Sequence, residues 1–170
     1  MTPPVRNEFI RIVGSRQVRK VLEVGATSLP DTLLRIPNVA GAELRVGVNI
    51  DESCCDGEVV VQADAHALPF ASGLFDLVLC NSLLEHDFEF WSTVWEIRRV
   101  AGRGALIVLG APGFSDNSSV MPVHNCPGDF YRFSAQAMKR ILEEMIGVCG
   151  AEVREIMDPP RVIGWGWKAW

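Results

Sequence analysis

The sequence lacks a long apolar run, and no stretch approaches the roughly 18 consecutive apolar residues that a membrane-spanning helix needs. Its first ten residues, MTPPVRNEFI, lack the basic-then-apolar layout of a secretory signal peptide. No basic cluster stands out, and the formal net charge is -5, which argues against nucleic acid as the main partner. We therefore expect a cytoplasmic protein that binds neither membranes nor nucleic acids.

The sequence also lacks a cysteine framework. Its five cysteines are odd in number, Cys54 and Cys55 are adjacent, and no C-x-x-C motif occurs. Neither a disulfide scaffold nor a zinc site is predicted, and we expect reduced thiols and no bound metal. No repeat, low-complexity tract or linker interrupts the 170 residues, so residues 1–170 are expected to form a single domain.

Short apolar runs rich in valine and leucine alternate with helical or loop stretches, which is typical of a doubly wound, mostly parallel α/β sheet. The predicted strands are Lys20–Val24, Arg45–Asn49, Val59–Gln62, Phe75–Cys80, Ala105–Leu109, Glu152–Met157 and Val162–Trp167. The connection between the last two is too short for a parallel crossover, so they should form an antiparallel hairpin. The terminal GWGWKAW either packs on the core or pairs with another subunit, which leaves monomer and homodimer open.

Helical periodicity is clearest after Ser134, which is a good N-cap. Apolar residues recur from Met138 to Cys149, and Gly150 should end this helix. A shorter leading helix is expected around Glu8–Val13.

Another helix is predicted over Phe88 to Val100, with Trp91, Val94 and Trp95 facing the core. The charged residues of this segment should be largely solvated; they are Glu96, Arg98 and Arg99. Pro37 should keep any helix after the first strand short.

Small and polar residues follow the first strand, at the edge where open parallel sheets bind ligands. The stretch VLEVGATSLP presents Glu23 and Gly25, but Thr27 and Leu29 stand where a nucleotide-binding loop has further glycines. Gly25 would let a ligand approach the backbone, and the amides of Ala26 and its neighbours could face that ligand. The missing glycines disfavour a diphosphate and therefore a nicotinamide cofactor. An ordinary strand exit is the alternative.

Further candidates follow the next three strands. Asn49 and Asp51 are two apart, so they should point the same way toward ribose hydroxyls, although Asp51 could also begin a solvated turn. Asp64 could accept a hydrogen bond from an adenine amino group, with the Ala65 amide offered to a ring nitrogen. Asn81 lines the exit of the fourth strand.

Two histidines precede a long aperiodic segment between Gly110 and Ser134. His66 has no partner at metal-ligand spacing and is interpreted as structural or exposed. His86 titrates near neutrality and could act as a base, although a local hydrogen-bonding role is the alternative. Loops as long as this segment are usually functional or disordered. Its candidates for acceptor contacts and a second base are Asp129, Tyr131, Arg132 and His124.

The order of the motifs carries a family resemblance. The segments VLEVGA, VGVNID, DAHALPFASGLFDLVLCNSLLEH and EIRRVAGRGALIVLGAPG resemble the class I S-adenosylmethionine-dependent methyltransferases. A later segment, HNCPGDFYRFSAQAMKRIL, is similar to one found in many bacterial members. The resemblance implies a seven-stranded Rossmann-like sheet with a reversed last strand and S-adenosylmethionine as cofactor. It assigns cofactor binding to Glu23, Gly25, Ala26, Thr27, Asn49, Asp51, Asp64, Ala65 and Asn81.

The activity that the resemblance implies is O- or N-methylation of a small-molecule or saccharide acceptor, with His86 or His124 as the base where one is needed. The chain departs from the family pattern at Thr27 and Leu29, at Asn49 in place of an acid, and at the turn VAGRGA. A binding module that retains a weakened cofactor site is therefore one alternative. A nicotinamide-dependent oxidoreductase is the other.

Overall fold

The computed structural model describes residues 1–28, 30, 32–56, 59–114, 128–157 and 160–169. Their seven strands form one sheet in the order β3-β2-β1-β4-β5-β7-β6. The strands are β1 (Lys20–Val24), β2 (Leu44–Asn49), β3 (Val60–Gln62), β4 (Phe75–Asn81), β5 (Ala101–Pro112), β6 (Val148–Met157) and β7 (Pro160–Lys168). Strands β1 to β5 are parallel to one another, and β7 is antiparallel to both β5 and β6. The predicted mostly parallel sheet with an antiparallel C-terminal hairpin is confirmed.

The strand order reverses beside β1. The chain runs outward from β1 to β2 and β3, then returns to place β4 on the other side of β1. All four strands point the same way, so their carboxyl ends meet at one edge of the sheet. Such a reversal is where open α/β sheets form their ligand crevice.

Helices cover both faces of the sheet. They are α1 (Pro3–Val13), α2 (Phe90–Val100) and α3 (Ala135–Arg140), which continues as a π-helical segment, Ile141–Ile146. Helix α1 begins earlier than predicted because prolines occupy its first turn, where a missing N–H costs nothing. Among the described residues between β1 and β2, the helical element is a three-residue 3₁₀ turn, Leu33–Arg35. No helix in the described part of the chain is long and apolar enough to cross a membrane.

Two apolar layers hold these helices to the sheet. On one face, buried side chains of α2 and of the π-helical segment, such as Ile97 and Leu142, pack on β4 and β5. On the other, Phe9 of α1 and Leu34 of the 3₁₀ turn pack on β1, β4 and β5. The central strands are therefore covered on both faces, which explains why their sequences are almost continuously apolar.

The predicted end of the last helix at Gly150 is wrong. The helix ends at Ile146, because Gly147 takes a left-handed conformation (φ 81°) and closes the final turn. Cys149, expected on the apolar face of the helix, instead lies exposed in β6.

The predicted burial of Trp95 is also wrong, since 56% of the residue is exposed. Helix α2 buries only a narrow stripe, made of Thr93, Val94, Ile97 and Val100. Arg99, expected in solvent, is partly buried: it pairs with Glu96 and donates to the carbonyls of Leu68 and Phe70.

Candidate active site at the carboxyl edge of the sheet

The residues predicted to bind a cofactor follow four neighbouring strands. Val24 pairs with Val48 of β2 on one side and with Cys80 of β4 on the other. Asn49 pairs in turn with Gln62 of β3. The turns after β1, β2, β3 and β4 therefore lie side by side at the carboxyl edge of the sheet.

The loop after β1 is held against the end of β2. The amides of Gly25 and Ala26 both donate to the Val48 carbonyl at 2.9 Å, and the Ser28 amide donates to the Cys54 carbonyl at 2.8 Å. Of the amides that we expected to face a ligand, those of Ala26 and Ser28 are thus committed within the protein. Thr27 is exposed, and its contact with a ligand stays a prediction. Leu29 lies outside the described residues.

Two glycines make the close packing around this loop possible. Gly25 has a φ of +77°, and a methyl group placed on it would lie 2.9 Å from the Cβ of Leu83. A methyl group on Gly47 of β2 would lie 2.5 Å from the Cβ of Ala26. Both distances are far below van der Waals contact, so each glycine serves protein packing, and ligand contact at Gly25 stays a prediction.

Glu23 is turned into the protein. It is 4% exposed, and its Oε2 accepts hydrogen bonds from the Thr32 hydroxyl at 2.6 Å and the Leu33 amide at 2.9 Å. Burial raises the pKa of Glu23 to about 7, although both hydrogen bonds oppose that rise. The carboxylate therefore fixes the 3₁₀ turn that follows the loop.

Asn49 joins the first two turns. Its Nδ2 donates to the Ala26 carbonyl at 2.6 Å, and its Oδ1 accepts from the Asp51 amide at 3.0 Å. An aspartate could not make the first bond, which gives a physical reason for the amide in place of the family's acid. Asp51 is exposed, and hydrogen bonds from the Ser53 hydroxyl and amide lower its pKa.

The third and fourth turns are joined through His66. Asp64, whose side chain is 54% exposed, accepts from the His66 amide at 2.8 Å. The His66 ring meets Asp87 with an Nε2–Oδ1 distance of 2.9 Å, and Asp87 also accepts from the Thr93 hydroxyl. Burial alone would lower the pKa of His66, but the hydrogen bond to Asp87 and the charges of Asp87, Asp64 and Glu89 together raise it. These contacts fit a structural role for His66. Ala65 lies half-buried beside it.

The backbone at the exit of β4 is unusual. Ser82 has a φ of 56°, a conformation that costs a non-glycine residue about 1 kcal/mol. Its hydroxyl accepts from Asn81 Nδ2 at 3.1 Å and from Arg161 Nη1 at 2.9 Å. Asn81 Oδ1 is buried and has no hydrogen-bond partner among the described residues.

Two ion pairs lie behind this exit. Arg161 Nη1 is 3.6 Å from Glu85 Oε1, and their side chains are 12% and 0% exposed. Burial lowers the pKa of Arg161, with the Glu85 charge acting against that change. Arg132 and Asp129 form a two-point pair at 2.6 and 2.7 Å.

Asp129 and Arg132 were named as candidates from the sequence, whereas Arg161, which lies beside them in the structure, was not. The sequence feature that could have indicated Arg161 is its position as a charged residue directly before the apolar run VIGWGW. Arg161 stands out there because arginine is rarely buried unless it is paired.

The candidate bases have different positions. His86 is partly exposed, and its Nδ1 lies 3.2 Å from the Gly128 carbonyl oxygen. An imidazole with Nδ1 protonated would donate to that carbonyl. His124 lies outside the described residues. Tyr131, the third predicted acceptor residue, donates from its hydroxyl to the Phe88 carbonyl at 2.8 Å.

Comparison with known families and structures gives a consistent result. Residues 37–109 match the family model described as Methyltransferase domain. Comparison with curated proteins gives no significant match.

Solved structures match nearly the whole chain at low identity. A SAM dependent methyltransferase from Archaeoglobus fulgidus is 18% identical, with a TM-score of 0.77 over 97% of this chain and 93% of that one. Phosphoethanolamine N-methyltransferase 2 of Haemonchus contortus, in complex with S-adenosyl-L-methionine, is 12% identical with a TM-score of 0.77; the match covers 99% of this chain but 53% of that one. The [4+2]-cyclase SpnF is 14% identical, with a TM-score of 0.71 over 98% of this chain and 80% of that one. At these identities the similarity establishes the fold.

Proposed function

We propose that the chain is a class I S-adenosylmethionine-dependent methyltransferase that transfers a methyl group from S-adenosylmethionine to a small-molecule acceptor, by O- or N-methylation. Its fold and the family model that residues 37–109 match support this proposal. The observation that carries the proposal is the convergence of four strand exits, β1 to β4, at one edge of the sheet. The family match covers three of these exits and the fold accounts for the fourth.

The groups present at this edge suit an adenosyl ligand with an amino-acid end. Asp51 and Asp64 are exposed acceptors for ribose hydroxyls and the adenine amino group, respectively. Asn81 Oδ1 lacks a partner within the described residues, so a small rotation of this side chain would offer it to an ammonium group. When bound, the cofactor supplies a sulfonium methyl group for direct transfer.

The protein's own part in the reaction is to position the acceptor and to remove its proton. Positioning can contribute on the order of 7 to 11 kcal/mol in favourable cases. In the His86 tautomer whose Nδ1–H donates to the Gly128 carbonyl, Nε2 is the nitrogen that would accept the proton of a hydroxyl acceptor. His124 remains the second candidate for this step.

Of the two alternative functions, the structure disfavours the first and one observation favours the second. A nicotinamide nucleotide is disfavoured, because a three-residue 3₁₀ turn follows β1 in place of the helix whose N-terminus binds a diphosphate. A binding module without transfer is favoured by one observation: the amides of Gly25, Ala26 and Ser28 are already donated within the protein.

Calorimetric titration with S-adenosylhomocysteine tests the cofactor site. We expect Asp64→Ala to weaken binding about tenfold, the loss for one hydrogen bond to a charged group. Glu43→Ala is the matched control, because Glu43 is an exposed acid that precedes β2 at the opposite edge of the sheet. Equal affinity in both variants and the unmodified protein, or no binding at all, would remove the proposal.

Transfer assays with S-adenosylmethionine separate an enzyme from a binding module. Binding without formation of S-adenosylhomocysteine on any acceptor would favour the module. On a hydroxyl acceptor, His86→Ala should lower kcat by about 100-fold, the lower end for loss of a general base. An undiminished rate in His86→Ala would mean that another group removes the proton of the acceptor.

A further inference from the structure

Two phenylalanines stand unusually exposed beside the candidate active site. Phe88, in the turn after β4, is 63% exposed, and Phe130, before α3, is 54% exposed. Their ring centroids are 5.4 Å apart with the planes at 74°, an edge-to-face contact. Phe88 also lies nearly parallel to Tyr131, at 6.4 Å and 28°. We call these three residues the aromatic wall.

The aromatic wall is held in place by its backbone. The amides of Phe130 and Tyr131 both donate to the Glu85 carbonyl, at 2.7 and 3.2 Å. The Tyr131 hydroxyl donates to the Phe88 carbonyl. These bonds fix the segment before α3 to the turn after β4, so the exposed rings project from a defined frame.

A second aromatic layer supports the wall from behind. Tyr131 packs edge-to-face on Phe90 at 5.2 Å, and Phe90 packs edge-to-face on Phe133 at 5.3 Å. Phe133 is 4% exposed and its amide donates to the Pro112 carbonyl at the end of β5. The wall is therefore an extension of the core that reaches solvent at the carboxyl edge.

Two ion pairs with buried acids lie next to the wall, and the exposed acid Glu89 follows Phe88. Asp129, next to Phe130, is paired with Arg132 and its side chain is 2% exposed. Glu85, whose carbonyl holds the wall, is paired through its carboxylate with Arg161. Each pair contributes one positive and one negative charge, so these four residues do not select a strongly charged ligand.

The size of the wall indicates which kind of partner fits it. A fully exposed aromatic side chain presents roughly 200 Å², so the exposed parts of Phe88 and Phe130 offer on the order of 250 Å². A stable protein interface needs about 800 Å² from each partner. The wall alone is too small for a stable protein interface, but it is large enough to contact one planar ring.

We propose that Phe88 and Phe130 bind a planar, uncharged ring of the methyl acceptor. The substrate class is then an aromatic hydroxyl or amine compound, not an aliphatic phosphate ester. This inference rests on the proposed function in one respect, which is that the bound ring belongs to the methyl acceptor. Binding of the ring itself does not depend on methyl transfer, so the two can fail separately.

The test measures binding of 4-fluorophenol by ¹⁹F nuclear magnetic resonance, with and without S-adenosylhomocysteine. We expect 4-fluorophenol to bind, phosphoethanolamine not to compete, and the double variant Phe88→Leu/Phe130→Leu to bind about tenfold more weakly. Trp95→Leu is the matched control, because Trp95 is an equally exposed aromatic residue, 56%, on the outer side of α2. Calorimetry with S-adenosylhomocysteine should give the same affinity for all variants.

Each other result has a defined meaning. No binding of 4-fluorophenol, or equal binding to the double variant, overturns the inference whatever the cofactor result. If sedimentation shows self-association that the double variant abolishes, the wall binds a second copy of the chain and the inference is overturned. If the protein adsorbs to phosphatidylcholine vesicles and the double variant does not, the wall binds a lipid surface and the inference is also overturned. Failure of S-adenosylhomocysteine to bind while 4-fluorophenol binds would remove the proposed function and leave an aromatic-ring site.

Discussion

At the scale of single residues, Glu23 illustrates how a buried acid can organise a loop. Its carboxylate accepts from Thr32 and Leu33, and those two contacts join the end of β1 to the turn that the chain makes next. Desolvation is the larger effect and brings the pKa to about 7. The protein therefore keeps this acid at a cost in stability at neutral pH.

Because of the raised pKa of Glu23, the free energy of unfolding should depend on pH. Because the pKa of Glu23 rises from 4.5 to about 7 on folding, the folded state binds more protons than the unfolded state between these values. The contribution of Glu23 to stability should fall as pH rises from about 4.5 to about 7, by on the order of 3 kcal/mol. In Glu23→Gln this fall should disappear, as measured by urea unfolding between pH 5 and 8.

The control for this prediction is Glu43→Gln. Glu43 is an exposed acid whose pKa is lowered by its hydrogen bond with Arg19, so its removal should not flatten the profile above pH 5. If Glu23→Gln keeps the same pH slope as the unmodified protein, the carboxylate is ionised throughout and the raised pKa is wrong.

At the scale of secondary structure, the end of the last helix depends on a single glycine. Gly147 closes the π-helical segment with φ 81°, and its amide donates to the Leu142 carbonyl. The chain then enters β6 at once. Periodicity continued past this point in the sequence because Val148 is also buried, although it is buried by the sheet.

Gly147→Ala should lower the free energy of unfolding by about 1 kcal/mol. A methyl group on Gly147 meets no atom within 4 Å, so the cost is that of the left-handed backbone alone. Gly41→Ala is the matched control: its methyl group is equally free of contacts and its φ lies outside the left-handed range. Equal stability of the two variants in urea would contradict this account.

At the scale of the whole molecule, Arg161 connects parts of the chain that are far apart in sequence. It lies in β7, donates to Ser82 after β4, and pairs with the buried Glu85. The Glu85 carbonyl in turn holds Phe130 and Tyr131. The C-terminal hairpin thus completes the candidate active site.

Arg161→Met should destabilise the protein by about 3 kcal/mol, because it removes the arginine partner of the fully buried Glu85 carboxylate. The double variant Glu85→Gln/Arg161→Met should recover most of the stability in urea unfolding.

Arg154→Met provides the comparison for an exposed arginine whose partner, Glu8, keeps a second ion pair with Arg11. Arg154 pairs with Glu8 at 3.3 Å and its side chain is 56% exposed, so this change should cost less than about 1 kcal/mol. Similar losses from Arg161→Met and Arg154→Met would mean that the Arg161 pair is not desolvated.

The strands and the antiparallel hairpin were largely predictable from sequence, whereas several side-chain environments were not. Strand β1 has the bounds that its apolar run predicted, and the short turn before Pro160 required a hairpin. The hydrogen bonds from the Gly25 and Ala26 amides to the Val48 carbonyl could not be predicted, because they depend on how closely β2 approaches β1. The cofactor and acceptor assignments stay predictions, as does the cytoplasmic location.

The sequence by itself determined the alternation of strands and helices, the reversed last strand and the family resemblance, since these depend on local periodicity and on motifs of consecutive residues. Only the tertiary structure decided which polar groups are already paired, that Arg161 reaches Glu85, and that Phe88 and Phe130 meet in solvent. Such pairings join residues tens of positions apart, and their geometry follows from how the strand ends pack together.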